Sequence, residues 1–208
     1  NNPACDRLTV SGAFFGSPEF QLKGYFVYRF YKLAFNRLPQ YTEMVVDMRA
    51  VTGATPDEVF QKKAAFTNGF VLLPEFVNQY NALSNTQYVN TLMGRYGLMS
   101  ITTPNPATPD DSVNKITLTT ADLIDRLNAT TMTKAQVLRA IADSEQVFQL
   151  EFNQAFVAMQ YYGYLRRTPE PAGFTAWLDY LNTHPGDSRT MVNGFMNSIE
   201  YRLRFGPP

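Results

Sequence analysis

Two stretches of this chain carry the same aromatic, basic and proline residues in the same register, 130 positions apart. The matching residues are Phe26-Val27, Tyr31, Arg37 and Pro39 in the first stretch, and Phe156-Val157, Tyr161, Arg167 and Pro169 in the second. A register kept over fourteen residues without a gap predicts that one helical unit is used twice. This repeat is informative about the fold, and no motif in the chain is comparably informative about a reaction.

Each stretch is predicted to be a long helix, over about residues 22–36 and 148–166. The proline two residues past the arginine ends the helix, because it blocks the α conformation of the residue before it. Arg37 and Arg167 are therefore expected in or near a last turn, where a cation meets the negative end of the helix dipole. We expect them to hold helix carbonyls or the next loop. The alternative is recognition of a carboxylate or a sugar hydroxyl by the guanidinium group.

Apolar residues recur mostly at steps of three and four positions, which predicts an all-α, compact multi-helix domain with an internally duplicated helical unit. Thr55-Pro56-Asp57-Glu58 predicts a helix start, because it combines a capping hydroxyl, a proline without an amide and a carboxylate in the first turn. This helix is expected to run to about Leu72. Further helix starts are predicted at Ser84, Thr119, Thr133 and Asp187.

A short junction also recurs and is interpreted as a helix end, a cap and a new helix. Its copies are residues 14–20, 70–76 and 195–201, and Ser144-Glu145 followed by Phe148 is a looser fourth copy. A capping serine satisfies free amides, and a glutamate in the first turn complements the helix dipole. The glutamates of the junctions, Glu19, Glu75 and Glu200, are thus predicted to be structural rather than catalytic.

Residues 100–118 are rich in proline, threonine and aspartate, with little apolar periodicity. This composition predicts a long, irregular, exposed connector. The connector separates residues 1–99, a first helical repeat with a diverged partial copy, from residues 119–208, a second helical repeat, and we expect both to pack in one globule. Asp110-Asp111 lack the alternating oxygen ligands and the distal glutamate of a calcium loop, so no metal site is predicted.

The charges limit the classes of partner. The 18 basic side chains balance the 18 acidic ones, which removes an electrostatic case for nucleic acid or an anionic membrane. No apolar run of about 18 residues is present, so no membrane insertion is predicted. The single cysteine, Cys5, cannot form an internal disulfide. Whether it is an unpaired thiol or bonds to a preceding segment is left open.

Candidate catalytic residues are few. The only histidine, His184, lies in a predicted turn with no partner nearby in the sequence, and Cys5 has no nearby histidine to activate its thiol. There is no glycine-rich phosphate loop. We therefore predict a protein that is not an enzyme and has no cofactor. A polysaccharide hydrolase with an unrecognised carboxylate pair stays open as an alternative, since such pairs can come together from distant positions.

Aromatic residues crowd the two predicted long helices in greater number than one helical face can bury. Some of them are expected to face solvent, and exposed tyrosine beside arginine is a candidate sugar-stacking or protein-docking surface. The candidate ligand or partner residues are Tyr28, Arg37, Tyr162, Arg166, Arg167 and Trp177.

The C-terminal segment carries further spaced residues around the second stretch. They are Phe156-Val157, Tyr161, Leu165, Arg167, Pro169, Gly173, Trp177, Leu181, Val192-Asn193-Gly194-Phe195, and Ser198 with Glu200-Tyr201. With these residues the segment, about a quarter of the chain, resembles the bacterial domain of unknown function 4214 family. Glu170 departs from the aspartate that many members have there, so a role tied to that aspartate is not carried over. In the first stretch, Glu43 and Asp47 stand at the positions of Gly173 and Trp177.

Residues 10–39 resemble the stretch that precedes this domain in large exported bacterial proteins. The resemblance implies a helical module of an extracellular or cell-surface protein, with no known reaction, and a signal peptide outside this sequence. Our leading hypothesis is a non-catalytic module for surface attachment or protein–protein association. Its partners would be a protein, a surface glycan or upstream domains of the same polypeptide. Carbohydrate binding through exposed tyrosine and arginine is the alternative.

Overall fold

A computed structural model describes residues 6–105 and 114–206 of the chain. The hypotheses about Cys5 and about Asp110-Asp111 lie outside these residues. The structure is mostly α-helical, as predicted. The elements in the first half are α1 (Arg7–Phe15), α2 (Pro18–Phe20), a π-helical turn (Gln21–Tyr25), α3 (Phe26–Phe35), α4 (Tyr41–Ala50), α5 (Pro56–Phe70), α6 (Pro74–Tyr80) and α7 (Asn85–Gly94).

A two-stranded sheet, β1 (Ser100–Pro104) and β2 (Lys115–Thr119), leads into the second half. The helices that follow are α8 (Thr120–Asn128), α9 (Lys134–Ala142), α10 (Glu145–Gln160) with a π-helical turn at its end (Tyr161–Leu165), α11 (Pro171–Thr183), α12 (Ser188–Met196) and α13 (Ile199–Phe205).

The helix starts lie at the predicted residues. Thr55 accepts the amide of Glu58 at 3.2 Å, and the Glu58 carboxylate accepts the amide of Ala54 at 2.7 Å. The other predicted capping residues, Ser84, Thr119, Thr133 and Asp187, each accept an amide of the first helical turn. Local capping chemistry therefore sets where these helices begin.

The prediction of an irregular connector over residues 100–118 is wrong at both ends. Residues 100–104 pair antiparallel with residues 115–119, and Ile101 faces Leu118 across the two strands with both side chains buried. Threonine and isoleucine favour strands because their branched side chains pack well on a pleated surface. The remainder of the predicted connector, residues 106–113, lies outside the described residues.

Helix α3 has almost no exposed surface. Eight of its ten residues are buried, from Phe26 to Ala34, and it contacts α4, α6, α9 and α10. Tyr28 is 0% exposed and Tyr162, in the π-helical turn after α10, is 6% exposed. The expectation that these two tyrosines face solvent or a ligand is wrong, because the protein covers both side chains: the Tyr28 hydroxyl meets Glu151 and the Tyr162 hydroxyl meets the carbonyl of Pro39.

Two buried carboxylates inside this core are hydrogen-bonded to buried side chains, and the first is Asp143. Arg29 on α3 donates to Asp143 at 2.8 Å and to the carbonyl of Ala142 at 2.5 Å. Burial acts to raise the pKa of Asp143, but nearby Lys63, Arg29 and Arg139 outweigh it and hold that pKa below its ordinary value. Asp143 is therefore charged inside the core, at the turn between α9 and α10.

Glu151 is a second buried carboxylate, and its surroundings shift its pKa in the opposite direction. It is 2% exposed and accepts the hydroxyls of Tyr28 at 3.2 Å and Tyr96 at 2.9 Å. Burial raises the pKa of Glu151 above its ordinary value, and nearby Lys32 and the two hydroxyls offset only part of that rise. The folded protein therefore keeps Glu151 protonated to a higher pH than the unfolded chain does.

Replacing Glu151 with glutamine is expected to alter how stability depends on pH. The raised pKa means that folded wild-type protein holds the proton more tightly than unfolded protein does. Its free energy of unfolding therefore falls as pH rises through the unfolded and then the folded pKa. Glu151→Gln removes the group that titrates. Across that interval the variant's free energy of unfolding therefore rises, relative to that of wild type, by about 1.4 kcal/mol per unit of pKa difference. Urea unfolding from about pH 4 to about pH 8 measures this gain, and a difference independent of pH would contradict the assignment.

Candidate functional site

The first candidate site lies at the end of α3, where Arg37 joins three segments of chain. Asn36 ends the helix in the left-handed conformation, with φ of 53°, and turns the chain so that Arg37 follows it. The Arg37 guanidinium donates to Glu43 at 2.8 and 2.9 Å and to Glu75 at 2.7 and 3.0 Å. It also donates to the carbonyl of Leu38 at 3.1 Å. We call Arg37, Glu43 and Glu75 the Arg37 bridge.

The second candidate site lies at the end of the helix that continues α10. Arg166 ends it in the left-handed conformation, with φ of 49°. Arg167 then donates to Glu200 at 2.8 Å, to the carbonyl of Thr168 at 3.2 Å and to Glu170. We call Arg167, Glu170 and Glu200 the Arg167 bridge.

The two bridges repeat one arrangement. Each guanidinium lies over the tyrosine of its own stretch, 5.0 Å from the Tyr31 ring centre and 5.1 Å from the Tyr161 ring centre. A planar guanidinium can stack on an aromatic face while its edge binds carboxylates in a bidentate manner. The expectation that Arg37 and Arg167 hold the next loop is confirmed. Their hydrogen bonds to Glu75 and Glu200, 38 and 33 residues away, were not predicted.

These glutamates belong to the recurring junction. Glu75 is in the first turn of α6 and Glu200 is in the first turn of α13. The Arg-x-Pro motif and the junction motif, recognised separately in the sequence, are thus two ends of one ion pair. The signal that could have found the pairing is their order, because a junction glutamate follows each Arg-x-Pro triplet.

The second carboxylate of each bridge comes from a different position. Glu43 follows Arg37 by six residues, whereas Glu170 follows Arg167 by three. Gly173 stands at the position of Glu43, and a side chain there would collide with the Glu170 carboxylate and the Tyr161 hydroxyl. The two stretches therefore differ in which residue supplies the second carboxylate, Glu43 in the first and Glu170 in the second.

The two bridges lie beside each other. The hydroxyl of Thr168 accepts the amide of Tyr41 at 2.8 Å and donates to the side-chain carbonyl of Gln40 at 3.1 Å. Tyr162 donates to the carbonyl of Pro39 at 2.6 Å. Arg37, Tyr162 and Arg167 are thus brought to one region of the protein, whereas Tyr28 lies in the core against Glu151.

The remaining candidate residues are on the C-terminal side of the molecule. Arg166 is exposed, and its guanidinium lies 4.9 Å from the ring centre of Phe205. Trp177 is half-buried against Phe195, with ring centres 5.8 Å apart. A side chain at Gly194 would approach the Trp177 ring to 2.8 Å. Trp177 therefore contributes to packing between α11 and α12.

An apolar cleft of about 440 Å³ opens beside the Arg37 bridge. It is lined by the apolar residues Val46, Leu73 and Pro74 and by three carboxylates, Glu43, Glu75 and Asp47. Asp47 accepts the hydroxyl of Tyr31 at 2.8 Å. All three carboxylates are therefore held in place by internal hydrogen bonds.

The structure also locates the candidate metal-ligating and catalytic side chains of the described residues. Among them, no group of three or more histidine, cysteine, aspartate or glutamate side chains could hold a metal ion. His184 is exposed and stacks on Tyr180, with ring centres 4.4 Å apart. In the same part of the chain, every helix is too short or too polar to cross a membrane.

Residues 148–205 match the model of a family described as Domain of unknown function (DUF4214). The match covers α11 to α13, most of α10, the Arg167 bridge, Gly173 and Trp177, and it confirms the resemblance over this segment. No curated protein and no solved structure matches the chain.

Gly194 and Gly69 give a matched pair of substitutions, since each precedes a junction motif. Gly194→Ala is expected to destabilise the fold by about 1–3 kcal/mol, because its methyl group overlaps the rigid Trp177 ring. Gly69→Ala meets no atom within 4 Å and is expected to stabilise helix α5 by about 0.5–1 kcal/mol. Chemical unfolding measures both, and emission from the chain's single tryptophan should change only for Gly194→Ala. Equal effects of the two substitutions would contradict the close packing of Gly194 against the Trp177 ring.

The Arg167 bridge can be tested with a double-mutant cycle of Arg167→Ala and Glu200→Ala. Both side chains are more than one third exposed, so we expect a coupling energy of about 0.5–1 kcal/mol that falls with added salt. Arg167→Ala combined with Glu58→Ala is the control, because Glu58 pairs with Lys62 instead. Those two substitutions should be additive. An additive Arg167–Glu200 cycle would show that the bridge contributes no stability.

Proposed function

We propose that this protein is a non-catalytic helical module of an exported bacterial protein, and that it works in surface attachment through association with another protein. The observation that carries the proposal is the apolar cleft beside the Arg37 bridge. Val46 is 63% exposed there, and Leu72, which adjoins the cleft residue Leu73 in the chain, is 73% exposed. Clustered apolar surface of this kind is typical of protein interaction sites.

The cleft is also pre-organised. Arg37 holds Glu43 and Glu75, and Tyr31 holds Asp47, so the carboxylates lose little freedom when a partner binds. Three carboxylates against one arginine make the cleft locally acidic. A partner that fits presents apolar side chains flanked by basic groups or hydrogen-bond donors.

The matched bridges support the proposal that one helical unit is used twice in this chain. Each has an arginine after a left-handed cap, a tyrosine beneath the guanidinium and a junction glutamate. The family match covers the second of these units and carries no reaction. Export, a cell-surface location and contact with upstream domains of the same polypeptide are parts of the proposal.

Attachment can be measured with labelled protein and intact cells of the bacterium that makes it. We expect saturable binding that is lost when the cells are treated with protease and kept when their glycans are oxidised with periodate. Val46→Ser combined with Leu73→Ser should weaken binding about tenfold, since removal of two interface contacts costs about 1.4 kcal/mol or more. Both substitutions are on the surface, and Leu73→Ser restores the serine that other junctions have at this position.

Val10→Ser is the matched control, because Val10 is equally exposed on α1, away from the lining of the cleft. It should bind as wild type does. Absence of saturable binding, or equal binding by the cleft variant, would overturn the proposal. Loss of binding after periodate but not after protease would favour a glycan receptor instead.

Carbohydrate binding is the second candidate function. Buried Tyr28 and Tyr162 cannot stack on a sugar, so these two tyrosines do not support it. The observation that favours it is a different surface, an uncharged groove along α10 lined by side-chain amides and phenylalanine rings.

A further inference from the structure

The groove along α10 is a concave surface whose described lining residues include no charged side chain. Its first part, about 520 Å³, lies between α10 and α11 and is lined by Phe148, Gln149, Phe152, Asn153, Gln154 and Asn182, with two leucines. A second part, about 390 Å³, shares Phe152, Asn153 and Asn182 and extends to Gln21 and to the turn between α11 and α12. We call the six residues of the first part, together with Gln21, the α10 groove.

An asparagine pair forms the centre of the α10 groove. The side-chain amide of Asn153 donates to the side-chain carbonyl of Asn182 at 2.8 Å. This bond leaves the carbonyl of Asn153 and the NH₂ group of Asn182 without another hydrogen bond in the described part of the chain. The pair thus presents an acceptor and a donor side by side, which neighbouring hydroxyls of a sugar ring can satisfy because each hydroxyl both donates and accepts.

Phenylalanine rings border this amide pair. Phe148 and Phe152 are half-buried, with ring centres 5.8 Å apart and planes inclined at 59°. The exposed part of each ring can cover the C–H face of a sugar, whose hydrogens carry partial positive charge and meet the negative face of the ring. Apolar contact and paired hydrogen bonds are therefore available within one surface.

The absence of charge selects the class of ligand. Between α10 and α11, a uronate, sulfate or phosphate group would lose solvation with no cation among the lining residues to replace it. Gln21, Phe148 and Gln149 also border a neighbouring pocket that contains cations, where Arg29 lies 5.2 Å from the Phe148 ring centre and is paired with Asp143. The glutamines, Gln21, Gln149 and Gln154, instead add donors and acceptors for neutral hydroxyl groups.

From these contacts we propose that the α10 groove binds a neutral oligosaccharide, with Asn153 and Asn182 holding neighbouring hydroxyls and Phe148 and Phe152 packing against the sugar faces. The proposal deepens the second candidate function and is independent of the apolar cleft. The two surfaces share no lining residue.

The test uses an array of neutral oligosaccharides, namely glucans, mannans, galactans and N-acetylglucosamine oligomers, with uronate-bearing and sulfated glycans beside them. We expect binding to at least one neutral series and none to the charged glycans. Calorimetry with the oligosaccharide so identified should then show that Asn153→Ala and Asn182→Ala each weaken binding about tenfold or more, because each leaves a sugar hydroxyl unpaired.

The chain supplies a matched control in a second asparagine pair. Asn85 donates to Asn128 at 3.0 Å on an exposed surface outside the α10 groove. Asn85→Ala should leave the affinity unchanged, and melting temperatures should show that all three variants are folded. The proposal is overturned by an array without neutral binding, by binding that survives both groove substitutions, or by equal losses with Asn85→Ala. An empty array with protease-sensitive attachment to cells would remove the α10 groove proposal and leave the association proposal standing.

Discussion

The fold depends on helix α3 being buried on every side. A helix without an exposed face needs neighbours all round it, and α4, α6, α9 and α10 supply them. Apolar burial favours compactness but leaves orientation open, because it is not directional. Arg29 adds direction, since it must meet Asp143 and the carbonyl of Ala142 at the turn between α9 and α10. Loss of the Asp143 carboxylate would leave Arg29 buried without its charged partner, which costs about 3–5 kcal/mol in comparable pairs.

The arginine bridges have a different role, at the C-terminal ends of α3 and of the helix that continues α10. Their side chains are about a third exposed or more, so each ion pair contributes little stability. Their effect is geometric, because each guanidinium fixes the chain just after the helix end and the first turn of a helix that begins more than thirty residues later. The exchange of Glu43 for Glu170 shows that this geometry is met from two positions, provided that Gly173 leaves room for the second.

Features that depend on residues close together in the sequence could be predicted, and features that depend on contacts between distant residues could not. Helix starts such as Thr55 and Ser84 were predictable because the cap and its amide are three residues apart. The β1–β2 sheet was missed because Ile101 and Leu118 acquire a strand environment only when they pair with each other. Burial of Tyr28 and Tyr162 was missed because the helical period predicts only one buried face for a helix. Here, other segments of the chain also cover the side chains on the opposite face. The α10 groove leaves no local motif, since Asn153 and Asn182 meet only after α10 and α11 pack.

Which polar groups already have internal partners indicates where a ligand is most readily bound. Arg37 and Arg167 are each engaged by two carboxylates, so a ligand that recruited either arginine would first have to break an internal ion pair. Asn153 and Asn182 each keep one unused amide function, so a ligand gains their hydrogen bonds without opposing an existing contact. In a chain whose charged residues hold the fold, recognition by neutral amides and exposed apolar side chains requires the least rearrangement. The apolar cleft and the α10 groove both meet this condition.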